Sequence, residues 1–344
     1  MPQSSPNWPS NDGLRIGHLN INRALNKITD ISSILENNGK PFHVFGFTES
    51  RLSSIIPDND VDIPGYQTIR IDPTVPNATG LLVYVLKTVS FKRLSHLEQF
   101  LVECVWLEIK LKRNNPLRVS FVYRNPAEKV DWRERFSCMM DAASLDTSEI
   151  IIMGDFNIDL LKPQTPWLDI TSSYNLTQLV NSPTRLTASS QTLIDHIYTT
   201  HEQNISELCV PIYGCSDHLP VCLTWNKKGT KIPKTGHKHC TYRSFSTFNE
   251  DQFLFDLSCS NLCNVYNITD PEMALDYWIQ TFNSVYDKHA PFKTQRIKHT
   301  SKPKWLTKEI QDAIWQRDRL LKDGKHDEYR KLRNKVNSLK RTAR

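Results

Sequence analysis

The chain has 344 residues, which is enough for one large domain with an appendage or for two domains. Its hydrophobic content of 39% is ordinary for a globular protein, and no apolar run approaches the roughly 20 residues of a membrane-spanning helix. The eight cysteines show no repeated spacing, and the start of the chain lacks a signal-peptide pattern. We therefore expect an intracellular protein, nuclear or cytoplasmic and not secreted, with residues 1–13 as a disordered leader.

The net charge of +6 is unevenly distributed along the chain. Residues 1–226 contain 19 basic and 24 acidic side chains, whereas residues 293–344 contain 17 basic and 6 acidic ones. The intervening residues 227–292 are balanced. The basic character of the protein therefore belongs to its C-terminal segment alone.

The first predicted elements are strands that end in polar residues. Alternating apolar residues predict a strand from Leu14 that ends in Asn20 and Asn22. After a helical pattern, a second buried strand ends just before Glu49. For each of these polar residues alone, a solvated turn is the simpler interpretation, and a metal or phosphate ligand is the alternative.

Further strands are predicted over residues 80–86, 103–111 and 117–123, the last of which ends in Tyr123. An amphipathic helical pattern then leads to the octamer Ile-Ile-Ile-Met-Gly-Asp-Phe-Asn at residues 150–157. Its apolar run predicts a buried strand. The carboxylate and the amide that follow lie two residues apart, so in extended backbone they point the same way. This arrangement suits a metal or phosphate site, and an Asx-rich turn is the alternative.

The last part of this domain contains two more polar groups next to strands. A helical pattern covers residues 167–179, a predicted strand over residues 191–198 contains Asp195, and Asp217 and His218 precede a final strand. Hairpins mixed with helical crossovers predict a mixed sheet sandwich covered by helices over residues 14–226. The composition then changes, and residues 227–246 are predicted to be a linker.

Hydrolysis of a phosphodiester needs the residue types that recur at these strand ends. Carboxylates bind a hard divalent ion, which polarises phosphoryl oxygens and eases the ionisation of water. Amides and a phenol can donate hydrogen bonds to developing negative charge. A histidine oriented by an aspartate can move a proton near neutral pH.

An ordered set of short motifs resembles the endonuclease/exonuclease/phosphatase superfamily over about residues 14–225. The motifs are Leu19-Asn20-Ile21-Asn22, Thr48-Glu49, Tyr123-Arg124, Gly154-Asp155-Phe156-Asn157, Ile194-Asp195 and Ser216-Asp217-His218. Within the superfamily the chain is most similar to the apurinic/apyrimidinic-type endonuclease domain of non-LTR (LINE-type) retrotransposons. The Tyr-Arg-x-Pro sequence at residues 123–126 points to the branch with jockey- and chicken-repeat-like elements.

The resemblance implies an α/β fold, a four-layer α/β sandwich of two mixed, mainly antiparallel sheets flanked by helices, followed by an α-helical basic tail. It also implies Mg²⁺-dependent nicking of DNA at a target site, with Mn²⁺ as an alternative ion. DNA is then the expected partner, element RNA is a second candidate for the basic tail, and no membrane is expected. The oligomeric state is not predicted.

The same resemblance implies roles for individual residues. Glu49 is the expected direct metal ligand, with Asn22 and Asp217 also assigned to the metal site. The expected catalytic residues are Asp155 for the attacking water, Asn20 and Asn157 for the phosphate, Tyr123 for the transition state, and His218 with its support Asp195. Two positions depart from the family pattern, because many members have an acid in place of Asn22 and repair-type members have an asparagine in place of Pro126.

The C-terminal residues form two predicted helical segments. Residues 247–292 show helical spacing, and residues 293–344 predict a basic helical hairpin that suits nucleic acid, with a merely solvated hairpin as the alternative. The cations assigned to nucleic acid are Arg124, Lys302, Lys304, Arg317, Arg319, Arg330, Lys331 and Arg333. The hairpin resembles the segment that joins endonuclease to reverse transcriptase in such elements. No polymerase signature is present, so we expect an element truncated before its reverse transcriptase.

Two other functions remain open from the sequence. The first keeps the fold but changes the substrate to a phosphoinositide, a sphingolipid or RNA, in line with the acidic balance of residues 1–226. The second is a catalytically inactive relic that binds nucleic acid through its C-terminal segment.

Overall fold

A computed structural model describes residues 7–37, 40–73, 79–111, 115–128, 131–146, 148–227, 239–296 and 306–343. By spatial proximity the chain divides into two compact units. The first comprises Met1–Thr235 with Lys302–Arg344, and the second comprises Gly236–Ser301. The C-terminal hairpin, as residues 306–343, therefore groups with the larger unit, whereas residues 293–296 of the predicted hairpin form a strand in the second unit.

The helices are α1 (Ile28–Glu36), α2 (Asp131–Ala143), α3 (Thr165–Ser173), α4 (Glu250–Ser258), α5 (Pro271–His289), α6 (Lys308–Lys322) and α7 (His326–Thr342). The strands are β1 (Leu14–Asn20), β2 (Val44–Thr48), β3 (Tyr66–Ile71), β4 (Leu81–Leu86), β5 (Phe91–Arg93), β6 (Glu103–Ile109), β7 (Leu117–Tyr123), β8 (Glu149–Asp155), β9 (Thr177–Gln178), β10 (Arg185–Leu186), β11 (Gln191–Thr192), β12 (Asp195–Thr199), β13 (Ile205–Cys209), β14 (Val221–Trp225), β15 (His239–Arg243) and β16 (Phe292–Arg296). No helix in the described part of the chain is long and apolar enough to cross a bilayer.

Two six-stranded sheets form the framework of the first unit. Their strand orders are β13-β14-β1-β2-β4-β3 and β5-β6-β7-β8-β12-β9. Each sheet has one parallel pair at its centre, β1 with β2 and β7 with β8. The neighbouring pairs are antiparallel. This architecture confirms the prediction of two mixed, mainly antiparallel sheets flanked by helices.

The alternation of side chains along β8 shows how the layers pack. Ile151 and Met153 face the core between the two sheets, whereas Ile150 and Ile152 face the core beneath α2 and α3. Successive side chains of a strand point to opposite faces, so an unbroken apolar run is what a strand buried on both sides requires. The strand is therefore held rigidly from both faces.

Three local predictions differ from the structure. The predicted helix over residues 167–179 ends at Ser173, because Asn175 adopts a left-handed backbone conformation with φ of 55° before β9. The predicted strand over residues 191–198 is interrupted, because the amides of Leu193 and Ile194 bond to the side chains of Asp159 and Thr184. The predicted linker contains β15, which pairs with β16 in the second unit.

Gly154 occupies a position where the two central strands of the second sheet approach closely. A Cβ atom at this residue would lie 1.9 Å from the carbonyl oxygen of Val122 on β7. Only glycine therefore allows the β7–β8 pair to close next to the carboxylate that follows.

We expect Gly154→Ala to destabilise the fold by about 3 kcal/mol, because the added methyl group must displace backbone rather than a flexible side chain. Urea denaturation measures this change. Gly324→Ala is the control, since a Cβ there meets nothing within 4 Å and only its φ of 70° opposes the substitution. Its expected cost is about 1 kcal/mol. An equal loss for the two variants would contradict the steric argument.

Asp30 of α1 anchors the C-terminal hairpin through buried charges. Its carboxylate accepts hydrogen bonds from the Lys340 ammonium of α7 and from the Tyr213 hydroxyl, the latter at 3.0 Å. The guanidinium of Arg317 lies 3.9 Å away. Burial opposes ionisation, but the two cations outweigh it and hold the pKa of the Asp30 carboxyl below its usual range.

We expect Asp30→Asn to lower the free energy of unfolding at pH 7 by about 4 kcal/mol, because it leaves buried cations without their partner. A depressed folded-state pKa contributes stability that is present above the unfolded value near 3.8 and is lost as the pH falls below it. The difference between wild type and variant should therefore be constant above about pH 5 and shrink below pH 4. Denaturant titrations across this range measure it, and a difference that grows in acid would refute the assignment.

Candidate active site

The two parallel strand pairs bring polar side chains to one edge of the sandwich. In the first sheet Asn20 is paired with Thr48, and Glu49 follows directly. In the second sheet Tyr123 is paired with Asp155. Parallel strands present their carboxyl ends at the same edge, so each pair delivers two adjacent polar groups. The predicted motifs therefore meet in space although they lie far apart in the chain.

Antiparallel neighbours add the remaining groups. Asp195 begins β12 and is paired with Asp155 of β8. His218 lies just before β14, which pairs with β1. The His218 Nδ1 atom lies 2.8 Å from an Asp195 carboxylate oxygen, and its Nε2 atom lies 4.0 Å from an Asp155 oxygen. The imidazole thus lies between two buried carboxylates.

The Asn20 side chain links the two sheets at this edge. Its Nδ2 group donates hydrogen bonds to Glu49 Oε1 at 2.9 Å and to Asp155 Oδ2 at 2.8 Å. Its Oδ1 atom accepts from the Asn22 amide at 3.1 Å. The buried side-chain amide of Asn20 therefore fixes the distance between the Glu49 and Asp155 carboxylates, which come from different sheets.

Tyr123 and Asn157 complete the edge. The Tyr123 hydroxyl donates to Glu49 Oε1 at 3.3 Å. The Asn157 amide nitrogen donates to Asp155 Oδ1 at 3.0 Å, and its side chain donates to the Arg124 carbonyl at 2.8 Å. Burial, followed by the Glu49 carboxylate, raises the pKa of the Tyr123 phenol, so this group stays a protonated donor.

Three of the predicted site residues have left-handed backbone. The φ angles are 44° at Asn22, 50° at Glu49 and 49° at Asn157. Asparagine tolerates this region, but glutamate rarely adopts it, at a cost of order 1 kcal/mol. Such strain is typical of residues whose side chains must point in a set direction.

The electrostatics of the buried trio favour a proton on the histidine. Burial alone would lower the pKa of His218, but the Asp195 carboxylate and its hydrogen bond raise it to about 9. The Asp195 carboxyl is buried too, yet the His218 charge outweighs burial and lowers its pKa. Burial raises the pKa of the Asp155 carboxyl, and the negative charge of Asp195 adds to this. Asp155 is therefore a carboxyl group with a raised pKa next to the imidazolium of His218.

Two residues of the site, His18 and Thr184, were not predicted from the sequence. His18 on β1 is fully buried, with Nδ1 at 3.8 Å from Asp195 Oδ1 and Nε2 at 3.1 Å from the Thr48 hydroxyl oxygen. Burial lowers the pKa of this histidine to about 4, so it is neutral. The Thr184 hydroxyl oxygen accepts from the amides of Ile194 and Asp195. A polar residue at an inward position of an apolar strand is the signal that could have identified His18.

Asp217 lies apart from the trio. One of its carboxylate oxygens lies 2.9 Å from the Arg185 Nε atom in an ion pair. Among the described residues, the group that brings metal-binding atoms within 4.8 Å of one another is Asp155, Asp195 and His218. Because His218 Nδ1 is already bonded to Asp195, we interpret this trio first as a proton-handling group.

The residues that face this edge suit a hard divalent cation. Glu49 and Asp155 supply carboxylate oxygens, which are ligands that such ions prefer, and Asn22 bonds to Asn20 through its backbone amide. Glu49 is only partly buried, with 16% of its side chain exposed, so an ion can reach it from solvent. Its second oxygen is paired with Arg51 at 2.8 Å, a cation that a metal ion would displace or share.

The cations predicted to bind nucleic acid have different surroundings. Arg319, Arg330 and Lys331 are exposed on the hairpin, and Arg333 is partly exposed. Lys302 and Lys304 lie outside the described residues. Arg124 is half-buried and donates to the Glu128 carbonyl.

Arg317 does not lie on the surface that was predicted to bind nucleic acid. Its side chain is fully buried and pairs with Asp318 at 2.7 Å, so it has no surface to offer to a phosphate. The guanidinium is part of the interior, and we withdraw Arg317 from the predicted nucleic-acid surface.

Comparisons with solved structures found several that are similar to part of this chain. The endonuclease domain of TRAS1, a telomere-specific non-LTR retrotransposon, is similar over 62% of this chain and 98% of that domain, with 14% identity and a TM-score of 0.50. An AP endonuclease from Archaeoglobus fulgidus covers 62% of this chain and 100% of its own, with 16% identity and a TM-score of 0.47. The catalytic domain of Xenopus laevis APE2 covers 62% and 91%, with 15% identity and a TM-score of 0.49. No curated protein sequence matches the chain.

A family model matches residues 17–218, which is more than half of the chain. The matched range begins in β1 and ends at His218, so it contains both central strand pairs and the polar edge that they form. The chain belongs to the endonuclease/exonuclease/phosphatase family.

Proposed function

We propose that this protein is a divalent-metal-dependent endonuclease that hydrolyses phosphodiester bonds in DNA and nicks target sites in the manner of a retrotransposon endonuclease. The observation that supports it most is the buried Asp155 carboxylate, which touches the Asn20 amide on one side and lies 4.0 Å from the His218 imidazole on the other. A water molecule next to Asp155 would contact both a proton acceptor, the Asp155 carboxylate, and a positive charge, the His218 imidazolium. The fold that the chain shares with the TRAS1 endonuclease domain favours DNA as the substrate.

The proton chemistry follows from the electrostatics of the trio. Asp155 accepts a proton from the attacking water, since burial and Asp195 raise its basicity. The water oxygen forms a bond to phosphorus as the bond to the leaving oxygen breaks, and the leaving oxygen takes a proton from solvent water. His218, held protonated by Asp195, neutralises charge on the phosphoryl oxygens. The neutral His18 ring lies 3.8 Å from the other Asp195 oxygen and adds no charge there.

Hydrogen-bond donors orient the phosphate. The Tyr123 hydroxyl stays protonated, and its one proton, which is donated to Glu49 in this conformation, would turn to the developing negative charge when Glu49 holds the ion. One of the two side-chain N–H groups of Asn157 bonds to the Arg124 carbonyl, which leaves the second for a phosphoryl oxygen. Both N–H groups of Asn20 face carboxylates, so in this conformation Asn20 spaces Glu49 and Asp155 rather than binding substrate.

Glu49 and Asn22 would hold the divalent ion that we propose, Mg²⁺ or else Mn²⁺. Such an ion polarises phosphoryl oxygens and eases the ionisation of water. The amide of Asn22 contributes no charge, so we expect weaker metal affinity than two carboxylates would give. We assign Asp217 a supporting part, because Arg185 already neutralises it.

Nicking of supercoiled plasmid DNA in Mg²⁺ tests the activity. We expect Asp155→Asn and His218→Gln each to slow nicking by about 10³-fold, because each removes a proton-handling or charge-stabilising group, and EDTA to abolish it. Asp169→Asn is the matched control, since this exposed acid on α3 lies outside the site. Equal rates for wild type and Asp155→Asn would reject the proposal. Hydrolysis of phosphoinositide, sphingomyelin or RNA in place of DNA would support the alternative substrates.

The exposed hairpin cations are proposed to bind phosphates. On an Asp155→Asn background without metal, Arg330→Gln with Lys331→Gln should weaken DNA binding and reduce the slope of log Kd against log salt by about 1 to 2. Fluorescence anisotropy at several salt concentrations measures both quantities. Lys92→Gln is the control, because this exposed lysine lies on the edge strand β5. An unchanged slope would assign the hairpin cations to solvent.

A further inference from the structure

The C-terminal hairpin forms hydrogen bonds with the loop that contains His218. We define the histidine loop as residues 213–219, between β13 and β14. The Tyr329 hydroxyl of α7 donates to the carbonyl oxygens of Gly214 at 2.9 Å and Ser216 at 3.1 Å. The Gly214 amide donates to the Asp318 carboxylate of α6 at 2.9 Å. Both hairpin helices therefore bind the backbone of this loop.

The contact is close and leaves no room for a side chain at Gly214. A Cβ atom there would lie 2.9 Å from Tyr329 Cε2 and 3.0 Å from Asp318 Oδ1. Leu219, directly after the histidine, packs in a small core with Leu321 and Tyr329. The hairpin thus holds the loop on both sides of His218.

Asp318 is itself held in place by buried groups. It pairs with the Arg317 guanidinium at 2.7 Å, and that guanidinium lies 5.2 Å from the centre of the Tyr213 ring. The Tyr213 hydroxyl in turn donates to Asp30 at 3.0 Å. These contacts make Asp318 a fixed acceptor.

On its other side the histidine loop meets β10. The Leu219 amide donates to the Thr184 carbonyl at 2.6 Å, and the Leu186 amide donates to the Asp217 carbonyl at 2.9 Å. The Thr184 hydroxyl also bonds to the Asp195 amide at 3.0 Å. The loop is therefore fixed between the β10 segment that supports Asp195 and the hairpin.

We propose that Tyr329 and Asp318 are positioning residues for His218. Their bonds to the loop backbone keep the imidazole at 2.8 Å from Asp195 and 4.0 Å from Asp155. The hairpin then serves catalysis through the histidine loop, in addition to any contact of its exposed cations with DNA. Neither residue touches the reacting groups, so both act through the loop. The catalytic consequence rests on the proposed function, whereas the structural one does not.

Tyr329→Phe removes both hydroxyl bonds and keeps the packed ring, and Asp318→Leu removes the acceptor of the Gly214 amide at similar side-chain volume. Tyr174→Phe is the matched control, because its hydroxyl also bonds two acceptors, Ser137 O at 2.9 Å and Asp141 Oδ1 at 2.8 Å, on the far side of the unit. Three readouts apply to the full chain: amide hydrogen exchange of residues 213–219, the His218 Nδ1–H resonance in an imidazole ¹H–¹⁵N spectrum, and the kcat and KM of plasmid nicking.

For Tyr329→Phe we expect exchange in the loop to rise by about tenfold and the His218 resonance to shift or broaden, while far-UV circular dichroism stays that of wild type. We also expect kcat to fall by about tenfold with KM within about twofold, because geometry rather than DNA binding is disturbed. Asp318→Leu should change the same quantities in the same direction.

Loop exchange and a His218 resonance that match those of Tyr174→Phe would overturn the proposal. Faster exchange with an unchanged kcat would overturn it as well, because the loop would then be held without benefit to the histidine. If wild type nicks no DNA, the proposed function fails, and the exchange and the resonance alone decide whether the hairpin positions His218.

Discussion

The parallel pairing at the centre of each sheet is the constraint on which the site depends. It places the ends of β1 and β2, and of β7 and β8, at one edge, where two sheets packed face to face bring carboxylates together. Burying Asp155 there costs free energy unless its oxygens are satisfied. The Asn20 side chain and the Asn157 amide supply two hydrogen bonds, and Gly154 supplies the close approach of strands that places the acid. The strand pairing that builds each sheet therefore also builds the site.

Three ionisable groups share this small volume, and their protonation states depend on one another. With Asp195 ionised and His218 protonated, the pair is neutral as a unit and Asp155 remains as the group with raised proton affinity. A general base needs a pKa near the working pH, which burial beside a like charge provides. The same environment that makes Asp155 basic also makes it unfavourable as a free anion, so a cation at the edge would be stabilised there.

The short motifs at strand ends could be predicted because they depend on local patterns. An apolar run followed by glycine and an acid predicts a buried strand and the direction of the side chain after it, and the structure has β8 end at Asp155. The inward position of His18 on an apolar strand was a signal for that residue alone, and the contacts of His18 and Thr184 with Asp195 and Thr48 could not be predicted, because these partners come from other strands. Arg317 looked like a surface cation since charge in a helical pattern usually is. Its burial depends on Asp318 and Tyr213, the latter about a hundred residues away.

The basic C-terminal segment contains two kinds of charged residue, interior and outward-facing, and its composition does not distinguish them. Some of its charges are interior, since Lys340 reaches Asp30 across 310 residues of sequence, and Arg317 and Asp318 lie beneath the histidine loop. Other charges face outward, and these can meet phosphates. Charge alone therefore does not separate a tail from a structural element. What separates them is whether a charged side chain has a buried partner, and here the hairpin has such partners at both of its helices. A hairpin anchored in this way can present its outward cations from a fixed surface of the first unit.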